Sequence, residues 1–192
     1  MAKVYEDGID ARTKAWLLAQ PVFFVGSAPL SGDGHVNVSP KGMAGAFAVR
    51  SPWQVAYLDY SGSGAETIAH VRENGRLTLM FCSFDERPTV VRLYGRARVV
   101  LVGDDGFDEP RAAFPKSETA GQRSVVVVDL DRVSDACGFA VPLMRQVGER
   151  DTLDRSHGRR EEGFFPGYWA RKNAVSIDGL PAVPAPLTSS DG

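Results

Sequence analysis

Residues 35–41, with the sequence His-Val-Asn-Val-Ser-Pro-Lys, alternate polar and apolar side chains without interruption. Successive side chains of an extended strand point to opposite faces, so this stretch has one polar and one apolar face. The polar face carries His35, Asn37, Ser39 and Lys41, and the other face carries Val36, Val38 and Pro40. Residues 91–99 repeat the pattern, with Arg92, Tyr94, Arg96 and Arg98 on a face that we expect to be solvated. This alternation is typical of antiparallel strands with one face against a core.

The remaining strands are predicted from short apolar runs bounded by turn residues, at 22–25, 54–60, 77–84 and 124–130. Helices are predicted from Asp10, as N-cap, to Pro21, and at 65–74, 149–160 and 168–173. Six short strands with peripheral helices indicate a mainly β fold, a small six-stranded antiparallel barrel rather than a parallel α/β sheet.

The composition is that of an ordinary globular chain, with 192 residues, 43% hydrophobic and 24% charged. Lys and Arg number 22 against 24 Asp and Glu, a net charge of −2, which gives no electrostatic reason to expect nucleic acid or an anionic membrane as partner. The two cysteines, Cys82 and Cys137, argue against a disulfide framework and a Cys/His zinc site, and we expect no metal. No signal-peptide pattern opens the sequence and its apolar runs are too short to cross a bilayer, so we expect a cytoplasmic protein.

A loop rich in glycine and hydroxyl groups follows strand 54–60, with the sequence Asp-Tyr-Ser-Gly-Ser-Gly-Ala-Glu-Thr at 59–67. It leads into a helix N-terminus, where free backbone N–H groups and the helix dipole favour an anion. Lys41 is placed to supply a compensating positive charge. The alternative is a plain strand-to-helix turn, in which Ser63 and Glu66 form a capping box and Gly75 ends the helix.

Four stretches in this order, at 34–42, 55–70, 74–81 and 91–97, resemble the flavin-binding split barrel of the pyridoxamine 5′-phosphate oxidase-related proteins. The resemblance covers about residues 15–135. Residues 148–154 and 172–181 are similar to the C-terminal part of one bacterial subgroup. The resemblance implies an FMN-binding split-barrel domain over 1–147, a helical extension over 148–180 and a flexible tail over 181–192. It also implies a homodimer with FMN in clefts between the subunits.

Nine positions match the family's cofactor-binding positions and become the candidate cofactor contacts. They are Asn37, Ser39 and Lys41 on one strand, Tyr57 and Asp59 on the next, and Ser61, Ser63, Gly64 and Thr67 in the phosphate loop. The chain departs from the oxidase itself, because Ser63–Gly64–Ala65 stands where the oxidase has Ser-Arg-Lys. The substrate-holding Arg-Leu-His-Asp-Arg stretch is also missing. The resemblance then implies phosphate binding by backbone N–H groups, Lys41 and an arginine such as Arg76 or Arg92.

Three functions are compatible with this sequence. The first is an FMN-dependent oxidoreductase that transfers a hydride at the flavin N5 to or from an unidentified small molecule. The second is a reductase that uses a deazaflavin coenzyme in the same groove. The third is a non-catalytic flavin- or haem-binding protein. His35, His70 and His157 lie far apart and indicate no catalytic triad, so no catalytic residue is predicted. A homodimer is expected also because strand 124–130 is apolar on both faces and needs cover on both sides.

Overall fold

Two long antiparallel strands form the centre of the fold in the computed structural model, which describes residues 3–184. The eight strands of this part of the chain are β1 (Lys3–Val4), β2 (Phe23–Ser27), β3 (Asn37–Lys41), β4 (Phe47–Ser51), β5 (Gln54–Tyr60), β6 (Arg76–Cys82), β7 (Thr89–Leu101) and β8 (Gln122–Cys137). The helices are α1 (Ala11–Leu18), α2 (Glu66–Asn74), α3 (Asp108–Arg111), α4 (Thr152–Gly158) and α5 (Phe164–Lys172).

The strands form one sheet in the order β3-β2-β6-β7-β8-β5-β4, with β1 added to β8. All of its pairs are antiparallel. Strands β3 and β4 are the two ends of the path. Within residues 3–184 no ladder joins these ends, so the barrel is split along this side. The predicted mainly β antiparallel class is confirmed.

The predicted number of six strands is too small. Strand β4 was missed because its five residues lie between the glycine-rich turn at 42–45 and Pro52, too short a stretch to show a period. Strand β1 has only two residues and exists through its pairing with β8. The predicted strand 77–84 is β6, which pairs antiparallel with β2 and β7.

Buried apolar residues from β2, β5, β6, β7, β8, α1 and α2 fill the barrel interior, and residues of β4 pack against them. Phe23 stacks on Phe81 with ring centroids 5.1 Å apart, and Phe47 and Tyr57 complete this aromatic group. A second apolar cluster lies on the opposite face of β5 and β8, and includes Val125 and Val127.

The chain itself covers this second face. Phe114 belongs to this cluster and Leu153 packs against it, so both faces of β8 are buried over residues 124–128 within one protomer. The two apolar faces of strand 124–130 therefore do not require a partner subunit, although the strand was expected to need one.

Local capping signals were predicted with mixed success. Asp10 caps α1 by accepting a hydrogen bond from the Thr13 N–H at 2.6 Å, and Gly75 ends α2 with a φ of 72°. The predicted capping box is wrong, because the N-cap of α2 is Ala65 and no side chain caps the helix. The helix begins two residues later than a box on Ser63 requires. Glu66 therefore occupies its first position rather than its third.

The C-terminal extension returns to the barrel. Helices α4 and α5 lie inside or near the predicted spans 149–160 and 168–173. Ala182 and Val183, which were expected to belong to a loose tail, are buried beside α2. Residues 185–192 lie outside the described part of the chain.

Candidate functional site

A small cavity of about 230 Å³ opens between β3, the end of β5 and the start of α2. Of the residues predicted as cofactor contacts, five line this cavity: Ser39, Lys41, Asp59, Gly64 and Thr67. We call it the charged cavity, because three ionised side chains meet at its base. The structure therefore brings together the strand and the loop that the sequence analysis linked through Lys41 and through the resemblance.

A buried carboxylate lies between two cations at this base. Asp59 Oδ1 accepts a hydrogen bond from Lys41 Nζ at 3.0 Å, which connects β3 to β5 across the split. Asp59 Oδ2 accepts one from Arg123 Nε at 2.8 Å. Asp59 and Arg123 are buried, whereas about a quarter of the Lys41 side chain, 24%, stays exposed. The three groups carry a net charge of +1, and the accessible part of that charge is on Lys41.

The pKa of Asp59 reflects a competition between burial and charge. Burial alone would raise this pKa, but the positive charges and hydrogen bonds of Lys41 and Arg123 lower it from 3.8 to about 2. Asp59 is therefore ionised at neutral pH and acts as a fixed acceptor that orients both cations.

Hydroxyl and amide groups form the side of the cavity next to α2. Asn37 Nδ2 donates to Thr67 Oγ1 at 3.0 Å, and to Ser39 Oγ at 3.2 Å. These contacts connect the polar face of β3 to the first turn of α2. The result is a row of neutral hydrogen-bonding groups beside the charged base.

The N-terminus of α2 faces the cavity without a side-chain cap. The first helical N–H with a partner inside the helix is that of Ala69, which donates to the Ala65 carbonyl at 3.0 Å. The N–H groups of residues 66–68 have no acceptor within the helix and favour an anion. Glu66 acts against this preference, because it also lines the cavity and its carboxylate lies against Gly64.

The other predicted contacts lie around the cavity rather than in its wall. Tyr57 is in the barrel core, with Lys41 Nζ 5.8 Å from its ring centroid, and its hydroxyl is buried without a hydrogen-bond partner. The hydroxyl of Ser61 is buried and bonded to α5, and Ser63 is exposed. Asn37 reaches the cavity only through Ser39 and Thr67.

Arg123 is the residue that sequence reasoning missed. The expected arginines lie elsewhere, since Arg76 binds Asn74 and the Pro29 carbonyl, and neither Arg76 nor Arg92 lines the charged cavity. Arg123 lies at an irregularity of the β5–β8 ladder, where Asp59 pairs with Ser124 and Tyr60 with Gln122. Such a bulge redirects a side chain. The available signal was a charged residue two positions before the apolar run 125–128.

A larger cavity of about 530 Å³ lies just beyond the C-terminal end of β3, between α1 and the β3–β4 turn. Phe23, Phe47 and Phe81 form part of its lining, so we call it the aromatic mouth. Its wall includes Met43, which has a φ of 72°, a backbone conformation that non-glycine residues adopt at a cost. Lys14 and Glu149 are its only charged lining residues within the described chain.

The three histidines do not contribute to the charged cavity. His35 Nδ1 lies 2.6 Å from Asp178 Oδ1 at the surface, and His70 Nδ1 lies 3.0 Å from Ser27 Oγ in the interior. His157 packs edge-on against Phe165. Within residues 3–184, no three His, Cys, Asp or Glu side chains are grouped to hold a metal. No helix of this part of the chain has the length and apolar content needed to span a membrane.

Comparison with known proteins shows similarity over most of the chain. Residues 9–137 match the family model described as pyridoxamine 5′-phosphate oxidase. The Aspergillus flavus protein ustO, described as a pyridoxamine 5′-phosphate oxidase family protein, is 38% identical over 194 residues, which cover 94% of this chain and 78% of that protein.

The chain is also similar to solved structures, at lower identity. A tagged variant of HupZ from group A Streptococcus superimposes with a TM-score of 0.54 at 16% identity, over 67% of this chain and 99% of that one. An FAD-binding protein from Mycobacterium smegmatis superimposes with a TM-score of 0.46 at 18% identity, over 70% of this chain and 96% of that one.

Proposed function

Because the chain belongs to the pyridoxamine 5′-phosphate oxidase family, we propose that it binds FMN and uses it as an oxidoreductase acting on a small molecule. The observation that supports this most strongly is the charged cavity, where an uncapped helix N-terminus lies next to Lys41. This combination suits a phosphate group, which carries the charge that both favour.

The cavity fits the phosphate end of FMN rather than the whole molecule. Its volume of about 230 Å³ is below the roughly 300–1,000 Å³ usual for pockets that enclose an entire small ligand. The N–H groups of residues 66–68, the hydroxyls of Ser39 and Thr67 and the ammonium of Lys41 are the donors for the phosphate. The ring system of FMN extends outside this cavity.

When bound, the flavin supplies the redox chemistry by exchanging a hydride at its N5 position. The residues of the cavity supply binding and orientation. Asp59 holds Lys41 and Arg123 in place and, with its lowered pKa, does not donate a proton at neutral pH. Glu66 is the other acidic residue in the wall, and it lies at the phosphate end, away from the reactive ring. We therefore assign no general acid or base within the cavity.

We further propose that the chain acts as a homodimer that completes the flavin site. Phe139, Leu143, Met144 and Val147 are exposed apolar residues in the segment that connects β8 to α4, and Val36 and Val38 are exposed beside and on the outer face of β3. Exposed large apolar side chains, where they form a patch, are typical of a protein interface. Light scattering should give twice the 20.8 kDa mass of one chain at micromolar concentration. A mass of one chain would refute the dimer.

The purified protein's absorbance spectrum tests the proposed function directly. Two bands in the flavin region, with release of a molecule of FMN mass on heating, are expected. A single band would indicate a deazaflavin, and an intense Soret band would indicate haem. Either of these, or no cofactor after reconstitution with FMN, would overturn the proposal. Oxidation of reduced FMN-loaded protein by a panel of small electron acceptors then separates a catalyst from a flavin carrier.

A further inference from the structure

We infer that the C-terminal extension holds the phosphate loop in its binding conformation, with Trp169 and Asn173 as positioning residues. This inference rests on the proposed function. The phosphate loop is residues 61–65, and we call Trp169 and Asn173 the C-terminal clamp. Both lie at the end of α5, more than a hundred positions along the chain from the loop.

Direct hydrogen bonds connect the clamp to the loop. Trp169 Nε1 donates to Ser61 Oγ at 2.7 Å, and Asn173 Nδ2 donates to the Gly62 carbonyl at 2.9 Å. A longer contact of 3.4 Å joins Asn173 Nδ2 to the Ser63 carbonyl. Asn173 is fully buried and Ser61 nearly so, whereas Gly62 and Ser63 are exposed, so the clamp holds an exposed loop from a buried side chain.

The clamp fixes the direction of the loop's N–H groups through peptide geometry. In a trans peptide the C=O and the following N–H point in opposite directions, and the described chain has no cis peptide. When the carbonyls of Gly62 and Ser63 point to Asn173, the N–H groups of Ser63 and Gly64 point away from it. Gly64 lines the charged cavity. The clamp therefore orients the Gly64 N–H as a further donor beside those of residues 66–68, without touching the anion itself.

The loop needs this support because it contains two glycines. Glycine has a wide choice of backbone conformations, and ordering it on ligand binding costs free energy. The clamp is itself held in place, since the Asn173 carbonyl accepts from the Val183 N–H at 2.9 Å and the Ala174 carbonyl from the Ala182 N–H at 2.8 Å. Residues 174–183 thus fold back and fix Asn173 beside the loop.

Two variants test the clamp. Trp169→Phe keeps an aromatic ring and removes the N–H, and Asn173→Ala removes the donor to both carbonyls. We expect the Kd for FMN to rise about fivefold in the first and about tenfold in the second, as for the loss of one or two hydrogen bonds. Riboflavin lacks the phosphate, so its Kd should stay within about twofold of the wild-type value. Tyr168→Phe is the matched control on α5, and it should change neither Kd.

Two readouts separate positioning from plain stability. The ratio of riboflavin to FMN Kd should fall in both clamp variants, whereas a general loosening of the fold would weaken both ligands equally. Hydrogen exchange of the amides in 62–65 should accelerate without FMN present. Variants that keep the wild-type ratio and exchange rates, or that lose both ligands in proportion, would overturn the inference alone. A wild-type protein that binds FMN no better than riboflavin would overturn the proposed phosphate site, and the inference with it.

Discussion

The charged cavity and the aromatic mouth differ in the ionised side chains that line them. The charged cavity places Asp59, Lys41 and Arg123 together, and each has an opposite charge within hydrogen-bond distance. The aromatic mouth is about twice as large, and its inner lining is made of phenylalanines. A buried charge is tolerated only when paired, whereas an aromatic surface needs no partner. Among residues 3–184 the two cavities share no lining residue, so they can be changed separately.

The largest expected effect is the loss of the buried carboxylate. Asp59→Ala leaves Arg123 buried without its partner and Lys41 beside it, which should lower the free energy of unfolding by about 3–5 kcal/mol. Chemical denaturation of the apo-protein measures this. Glu109→Gln is the control, because it breaks the ion pair between Arg50 and the largely exposed Glu109, and should cost at most about 1 kcal/mol. If both variants lowered the free energy of unfolding equally, the buried ion pairs of Asp59 would contribute no more to stability than an exposed pair.

Acid gives an independent reading of the same carboxylate. The pKa of Asp59 is about 2 in the folded chain and near 3.8 in the unfolded chain. Ionised Asp59 therefore adds about 2 kcal/mol to the free energy of unfolding above about pH 4. This contribution is lost as the pH falls through 2. The wild-type stability should fall over this interval more steeply than that of Asp59→Asn. Parallel acid profiles of the two proteins would contradict the lowered pKa.

Lys41→Ala should have the next largest effect, on binding rather than on folding. Loss of one charge-assisted hydrogen bond should raise the Kd for FMN about ten- to a hundredfold, and the Kd for riboflavin much less. Lys14→Ala, at the aromatic mouth, should leave both values nearly unchanged. Titrations followed by flavin fluorescence measure the Kd of each variant for FMN and for riboflavin. If Lys14→Ala weakened FMN binding and Lys41→Ala did not, the phosphate would have to be assigned to the aromatic mouth instead.

Lys116→Ala is not a suitable control for Lys41→Ala. Its place in the proline-rich segment between β7 and β8 predicts an exposed side chain whose loss has little effect. The side chain of Lys116 is buried and binds Asp154 at 2.7 Å and Glu118 at 3.2 Å. The pairing raises the pKa of Lys116 despite the opposing effect of burial. Removing it would disturb the attachment of α4 to the barrel.

The smallest expected effect concerns Glu66, which opposes the anion from within the cavity wall. Glu66→Gln removes a like charge at the phosphate end and should tighten FMN binding about threefold, as expected for a partly solvated charge pair. Glu149→Gln, in the lining of the aromatic mouth, should have no effect. If Glu66→Gln weakens FMN instead, the carboxylate contacts a donor group of the ligand, and the cavity holds something other than phosphate.

The fold was accessible from sequence where a period or a turn residue marks each element. The alternation in 35–41 and the apolar runs near 77–84 and 124–130 correspond to β3, β6 and β8. The capping box failed because its two residues satisfy a spacing rule while the chain turns into the helix at Ala65. Spacing alone does not fix the backbone angles that decide which residue caps a helix.

The site could be predicted from the sequence only in part, because several of its residues come from distant parts of the chain. Lys41 and Asp59 belong to neighbouring stretches of sequence, but Arg123 joins them through a strand register that contains a bulge. Trp169 and Asn173 reach the loop only after the chain has passed around the barrel. Neither register nor the return of the extension leaves a local signal in composition or periodicity.

Strand β8 has a consequence for how the chain reaches its native state during synthesis. It pairs with β1, β5 and β7, so none of these three strands can form its pairing with β8 before β8 has been synthesised. Arg123 is 64 positions from Asp59, and Lys3 is 132 positions from its contact Asp135. The chain loses conformational entropy when it closes such long loops, before the stabilising contacts have formed, and this slows folding. Until β8 has been made, β5 has an unpaired edge and Asp59 stays hydrated. The last third of the barrel sequence is therefore the part whose delay or truncation leaves a growing chain open to aggregation.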